Sequence, residues 1–221
     1  MTNHTPLDPT ILEQLRRDYA GEPLDEHAVD ANPFHQFTAW FTEALSSGIH
    51  TPNAMTLATT TPEGTPSARI VLLKGLDAGD FVFYTNYRSR KANELQTNPR
   101  ASILFFWPEL ERQLRIEGLV RVASPQEADA YFATRPRASQ IGAHASQQSA
   151  PVPNRKALED AFVSIEQQYE GREVPRPEHW GGFRLQPSLF EFWQGRPSRL
   201  HDRITYTKEQ GGEWTIARIS P

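Results

Sequence analysis

The chain contains no cysteine. Disulfides, thiolate metal sites and cysteine nucleophiles are therefore excluded, and a reducing cytoplasm is the expected location. Long hydrophobic runs are missing as well. No stretch approaches the roughly 20 apolar residues of a membrane span, and residues 1–8 lack the apolar core of a secretory leader. Neither sign of charge dominates. Twenty-three Lys and Arg against 27 Asp and Glu give a net charge of −4, so no broad nucleic-acid or anionic-membrane surface is expected, although local basic clusters remain open. There is no G-x-G-x-x-G after a strand, no P-loop, no G-x-S-x-G elbow and no H-E-x-x-H. These absences leave a dinucleotide-binding Rossmann unit, a P-loop enzyme, an α/β-hydrolase and a zinc site without support. No metal is expected.

What is present is 221 residues, enough for one substantial core. Proline outnumbers glycine, 18 to 13, which suits short, sharply punctuated elements. A helix is expected over 8–19, with Leu12, Leu15 and Tyr19 on one side. Phe37, Trp40, Phe41, Ala44 and Leu45 recur at helical spacing, and Gly48 supplies a stop. The period then shortens. Runs over 54–59, 67–74, 80–85 and 102–107 are β-branched and aromatic, with turn signals between them, including 75–79. Residues 113–122 alternate, with Leu114, Ile116, Val120 and Val122 opposite Arg115, Glu117 and Arg121. Ser124-Pro125-Gln126-Glu127 is a capping box that starts a helix. Leu158, Ala161, Phe162, Ile165 and Tyr169 mark another helix. Strands are expected again over 183–186, 189–193, 200–207 and 214–219. The helices interrupt the strands without a repeating βα unit. The expected class is mainly β with packed helices (α+β), an antiparallel barrel rather than a doubly wound sheet.

Four clusters can carry chemistry. Arg69-Ile70-Val71-Leu72-Leu73-Lys74 is an apolar run with a cation at each end. Taken alone it reads first as a buried strand whose charged ends reach water, and second as a strand laid beside a flat ring, with Arg69 and Lys74 taking anionic groups. Tyr84-Thr85-Asn86-Tyr87-Arg88-Ser89-Arg90-Lys91 ends at an expected helix start near Ser89, where free N–H groups and three cations suit a phosphate; a solvated basic turn is the alternative. Tyr131 and Arg135 are four apart at the end of the capped helix, and Ser139 is expected to cap the next one. Together they can hold a second phosphate, although an arginine at a helix C-terminus is also favourable in itself. Finally, if 199–203 is a strand, Arg199, His201 and Arg203 share one face, just after Trp193. Such cations are costly to bury unless something anionic lies opposite, and an exposed edge strand is the bland alternative.

RIVLLK, FYTNYRSRKA, LERQLRIEG, YFATRPRASQIGAHASQQS, HWGGFR and EFWQGRPSRLHDR occur in this order from about residue 15 to the C-terminus. Each segment alone is weak. The ordered set resembles the pyridoxine/pyridoxamine 5′-phosphate oxidase family. The resemblance implies an FMN-binding split β-barrel over 33–221, preceded by a mobile segment over 1–32 that can act as a lid. It implies a homodimer with FMN at the interface. The implied reaction oxidises pyridoxamine 5′-phosphate or pyridoxine 5′-phosphate to pyridoxal 5′-phosphate, with hydride passing to flavin N5 and O2 reduced to hydrogen peroxide. Carried over by position, FMN contacts fall on Arg69, Ile70, Val71, Leu72, Leu73, Lys74, Tyr84, Thr85, Arg90, Lys91, Gln113, Gln148, Ser149, Trp193 and Arg203. Substrate contacts fall on Lys74, Tyr131, Arg135, Ser139, Arg199 and His201, with Arg16 and Tyr19 closing over the substrate. Arg199 and His201 are the implied catalytic pair, one pressing on the pyridine ring and the other orienting the C4′ substituent. An oxidase of phenazine type, or a binder that stores the cofactor, is the competing reading. The Tyr131/Arg135/Ser139 set argues against the first, and retention of Arg199 with His201 against the second.

Overall fold

The computed structural model describes residues 10, 14, 15 and 18–221. Arg16, and most of the helix expected over 8–19, lie outside them. The first helix described, α1 (Pro33–Ser46), starts where Asn32 Oδ1 accepts the Phe34 N–H at 2.9 Å, an N-cap followed by a proline in the first turn. Its apolar stripe puts Phe37 against Phe81 and Phe105, and the edge of Trp40 against Phe192. Burying a Phe side chain in this way stabilises by roughly 1.5–3 kcal/mol. Leu45, expected on that stripe, is 60% exposed while the adjacent Ala44 is fully buried, because the core-facing stripe runs through Phe37, Trp40 and Ala44 and leaves Leu45 at its margin.

The sheet strands are β1 (Ala54–Thr60), β2 (Pro66–Leu72), β3 (Gly75–Asp77), β4 (Asp80–Asn86), β5 (Arg100–Trp107), β6 (Arg112–Val122), β7 (Trp180–Gln194), β8 (Asp202–Lys208) and β9 (Trp214–Arg218). All pairings are antiparallel, in the order β2-β1-β5-β6-β7-β4-β3, with β8 on β7 and β9 on β8. The expected turn at 75–79 in fact begins with β3. The strands expected over 183–186 and 189–193 are one. β7 pairs with β4 through residues 180–185 and with β8 through 189–194, while β6 runs along both halves. Pro187 sits at the changeover, opposite Gly118, where the β6–β7 register shifts. A proline lacks the ladder donor, so inside a strand it is tolerated at such a bulge. A side chain at 118 would collide with the Gln186 backbone carbonyl. This bulge bends β7 so that one strand serves two sheet regions and the barrel stays split.

Inward residues of β1, β4, β5, β6 and β7 form the main core with α1. Val122, expected inside, is 56% exposed, since β6 runs on past β5, whose pairing with it stops at Leu119. A second, smaller core joins Phe132, Ile141, Val174 and Trp180. It is built by α3 (Pro125–Ala133), α4 (Arg137–Ala145) and α5 (Arg155–Gln168) around the start of β7; α2 (Arg90–Thr97) follows β4. The capping box at Ser124 is present in both directions, and Glu127 also takes an ion pair from Arg184. α3 is thereby tied to β7.

Candidate active site

A cavity of about 760 Å³ opens between β2, β4, α2, α3 and α4. Ile70, Val71, Leu72 and Lys74 line one side; Tyr84, Thr85, Lys91 and Gln148 line another; Tyr131, Arg135 and Ser139 close the far end. Three of the four sequence clusters therefore converge here. Leu73 does not. It is buried in the main core with 8% exposure, and its backbone N–H and carbonyl are both taken by Asn53. β2 ends at Leu72, which places Lys74 beyond the strand, with its N–H on Val82 O at 2.8 Å.

At the phosphate-like end, Tyr84 stacks on Tyr131 with centroids 4.0 Å apart, and on Trp180 at 5.5 Å. Arg135 places its guanidinium 4.5 Å over the Trp180 ring. α3 stops at Ala133, so Arg135 follows the helix instead of ending it. Ser139 is not a cap: Pro136 precedes α4, and Ser139 lies inside its first turn. Arg135 Nη1 is the one buried side-chain polar atom without a hydrogen-bond partner among the described residues. Burial pushes the Arg135 pKa down, yet a guanidinium stays protonated. A half-buried cation with an idle donor, in a cavity that Tyr131 and Lys74 also line, fits an anion.

The second basic cluster sits at the start of α2. Ser89 makes no side-chain cap; it accepts from Lys91 Nζ at 3.3 Å. Lys91 also donates to Thr85 Oγ1 at 3.1 Å and Gln148 Oε1 at 2.8 Å. Burial first, and the Arg69 charge second, lower its pKa to about 8. Its hydrogen-bond partners are all neutral, so among the described residues this buried ammonium has no contacting counter-ion. The Arg90 N–H reaches Ser149 Oγ at 3.2 Å. The sequence suggested that cations at this helix start require an anion. Part of that anion is internal: Glu94 pairs with both Arg90 and Arg69. Sequence reasoning missed Glu94, although its i,i+4 spacing from Arg90 was visible.

The fourth cluster stands apart. Gln113, Trp193 and Arg203 are register partners across β6, β7 and β8, a row on the outer face of the sheet. Arg203 donates from Nε to Glu191 Oε1 at 2.8 Å and from Nη1 to Ser220 O at 2.8 Å. Trp193 packs on His201 at 4.6 Å, and Tyr19 sets its edge against both rings. The expected strand over 199–203 is corrected here. Residues 197–199 form a short 3-10 turn, Ser198 and Arg199 adopt left-handed backbone at φ 58° and 63°, and β8 starts only at Asp202. Arg199 and His201 are thus brought together by a tight turn, not by strand alternation. The Arg196 N–H donates to His201 Nδ1 at 3.1 Å. Burial, then the Arg199 charge, lowers the His201 pKa against the opposing pull of Asp202. The neutral ring with Nδ1 accepting carries its proton on Nε2.

None of Gln113, Trp193, Arg199, His201 and Arg203 lines the cavity. Both groups nevertheless address the same side of the sheet. The ladder Ile70–Thr56–Leu104–Arg115–Glu191 places Ile70 on the outer face, one rung from the row containing Phe106, Gln113 and Trp193. Ile70 and Phe106 are 63% and 55% exposed there, an apolar surface of the kind that marks an interface. A further cleft, about 990 Å³, lies between Arg137 and Arg172, but the Arg137 guanidinium is spent on the carbonyls of Tyr169 and Arg172.

A split barrel with a basic, aromatic cavity on one side of its sheet defines a class also seen in solved structures. PhzG from Burkholderia lata, crystallised with tetrahydrophenazine-1-carboxylic acid, superposes with a TM-score of 0.85 at 28% identity, covering 91% of this chain and 99% of that one. A pyridoxamine 5′-phosphate oxidase-related, FMN-binding protein from Nostoc punctiforme shares the fold, with a TM-score of 0.70 at 20% identity over 87% of this chain and all of that one. The family model described as pyridoxamine 5′-phosphate oxidase matches residues 41–169, and that of the pyridoxine 5′-phosphate oxidase C-terminal dimerisation region matches 180–221. Relatives named pyridoxine/pyridoxamine 5′-phosphate oxidase are 57% identical in Paraburkholderia phymatum (96% of this chain, 100% of the relative) and 54% identical in Rubrobacter xylanophilus (95% and 96%). The chain belongs to the pyridoxamine 5′-phosphate oxidase family and is an oxidoreductase of that family. Among the described residues, no helix is long and apolar enough to cross a membrane, and no cluster of His, Cys, Asp and Glu could hold a metal.

Proposed function

We propose that the chain acts as a homodimer that binds FMN and oxidises pyridoxamine 5′-phosphate or pyridoxine 5′-phosphate to pyridoxal 5′-phosphate. The observation that carries this reading is Arg135. Its buried, unpartnered Nη1 lies with Lys74, Tyr131 and Ser139 at one end of a cavity whose other end holds Lys91 without a counter-ion. Two cationic ends on one cavity suit two phosphates. A phenazine-type substrate without a phosphate would leave Arg135 idle.

Arg69, Arg90, Lys91, Thr85, Gln148 and Ser149 would hold the FMN phosphate, and 70–74 with Tyr84 would flank the ring. The exposed Ile70 and Phe106 beside the Gln113–Trp193–Arg203 row favour pairing of two outer faces, an isologous contact. A second copy would then bring its Gln113, Trp193, Arg203, Arg199 and His201 to this cavity. The chemistry FMN supplies when bound is acceptance of a hydride from the substrate C4′ carbon and reoxidation by O2 to hydrogen peroxide. Lys74, Tyr131, Arg135 and Ser139 anchor the substrate phosphate. Arg199 covers the substrate ring. His201, with Nδ1 already accepting from Arg196, offers an Nε2–H donor to the C4′ amine or alcohol. Its role is orientation rather than proton removal. Tyr19, and Arg16 beyond the described residues, would exclude water.

Anaerobic pyridoxine 5′-phosphate should bleach the flavin-loaded protein, and admitting air should restore the yellow colour and release peroxide. A flavin that stays oxidised contradicts the reading. The Lys91 shift adds a pH test. The ammonium is charged below about 8, and a phosphomonoester is already a dianion above its second pKa of about 6. FMN affinity of the apoprotein should therefore fall as pH rises above 8, by no more than about tenfold per unit for loss of one proton. Lys91→Arg should flatten this profile in a fluorescence-quenching titration.

A further inference from the structure

We propose that Glu94 is a positioning residue for the FMN phosphate: its carboxylate sets the directions of Arg69 and Arg90 at the start of α2. This rests on the FMN reading above. Glu94 is one helical turn beyond Arg90 and only 5% exposed. Oε2 accepts from Thr59 Oγ1 at 2.5 Å, Ser67 Oγ at 2.6 Å and Arg69 Nη2 at 3.3 Å; Oε1 accepts from Arg90 Nε at 2.8 Å. The donors come from β1, β2 and α2, so one carboxylate joins three elements. Burial pushes the carboxyl up, but hydrogen bonds from Ser67, Thr59 and Arg90 outweigh it and hold it at about 2.

At Arg90 the arrangement leaves donors to spare where an anion needs them. Arg90 gives Glu94 its Nε, and its side chain is still 58% exposed. A guanidinium pinned through Nε presents its Nη edge as a fixed fork, which matches phosphate oxygens. Arg69 is pinned more fully: Nη1 donates to Leu57 O at 3.0 Å and Thr59 Oγ1 at 2.5 Å, and Nη2 to Ser67 Oγ and Glu94, so it contributes a fixed charge while its Nη donors stay internal. Arg69, Arg90 and Lys91 are three cations close together. One carboxylate among them leaves two positive charges, against about −1.5 to −2 for a phosphomonoester at neutral pH. Arg88 is exposed at the rim and outside this hydrogen-bonded group.

The sign of the effect separates this role from simple electrostatics. A carboxylate acting only as a nearby negative charge would repel FMN, and removing it would tighten binding. A positioning carboxylate releases its arginines when removed, and binding weakens. The experiment titrates the apoproteins of Glu94→Ala and Glu94→Gln with FMN and with riboflavin, which has the same ring and no phosphate. The FMN dissociation constant should rise roughly 10- to 100-fold in Glu94→Ala, the equivalent of a lost hydrogen bond between charged groups, while that for riboflavin stays unchanged. Glu94→Gln keeps the side-chain shape and should lose FMN affinity in the same direction; it carries the test if the alanine variant fails to fold. Tighter or unchanged FMN binding overturns the proposal. So does an equal loss for FMN and riboflavin, which would mark a purely structural residue. If the unsubstituted protein binds no flavin, the cofactor reading itself has failed, a result distinct from any of these.

Discussion

Replacing Arg135 by methionine should raise the KM for pyridoxine 5′-phosphate by roughly 10- to 100-fold, the range for losing a hydrogen bond to a charged partner. Flavin content should not change, because Arg135 belongs to the far end of the cavity, away from Lys91 and Gln148. Methionine preserves the apolar stem over Trp180, where the guanidinium now sits at 4.5 Å. Ligand-free stability should not fall. The buried Nη1 has no partner and burial disfavours the charge, so the native arginine is held against its own desolvation. A variant that is destabilised but keeps its KM would show Arg135 to be a packing residue. Steady-state kinetics and a melting curve on the same preparation distinguish the two.

Arg184→Met should lower stability by about 3–5 kcal/mol, the cost of breaking a buried charge network by removing one partner. That corresponds to a fall in Tm of roughly 6–20 °C for a chain of this size. Arg184 is 6% exposed and Asp80 2%. Its Nε meets Asp80 Oδ2 at 3.0 Å, its Nη2 meets Asp77 Oδ2 at 2.6 Å, and its Nη1 pairs with Glu127. Arg121 remains on Asp80 at 2.5 Å, but from a largely exposed position. Substituting both ends, Arg184→Met with Asp80→Asn, should recover part of the loss, because no buried charge is then left unpaired. A single variant melting within about 2 °C of the parent, below one kcal/mol at this size, would remove the network from any account of stability. Because Glu127 also caps α3, the same substitution should loosen the helix that carries Tyr131.

Much of this was legible in the residues. Alternation over 113–122 and the Ser124–Glu127 box each specify their element locally, and both elements are present. The misreadings share a cause: long-range structure decided what local pattern could not. Arg199 to Arg203 alternate like a strand, yet Ser198 and Arg199 turn left-handed after Pro197. Gln186-Pro187-Ser188 reads as a break, yet it is a bulge inside one strand because Gly118 lies opposite. Ser139 looked like a cap because its side chain suits one, while Pro136 already opens α4. Leu45 and Val122 keep the apolar period, yet the first lies at the margin of the face that buries Ala44 and the second beyond the end of β5. The site was legible as a list of residues but not as an arrangement. No periodicity within one chain says that Arg135 and His201 serve one site, because in the proposed dimer their meeting requires a symmetry operation.

That division is tested by subunit complementation. Arg135→Met damages one cluster and Arg199→Ala the other, so each variant alone should be nearly inactive at low substrate concentration. Co-expressed with different tags, half of randomly paired dimers are mixed. In each mixed dimer one site collects both substitutions and the other collects neither. The mixture should recover about a quarter of the parent activity, concentrated in the doubly tagged fraction. Activity no greater than the average of the two separate variants would mean that each chain builds its whole site alone, and would contradict the account.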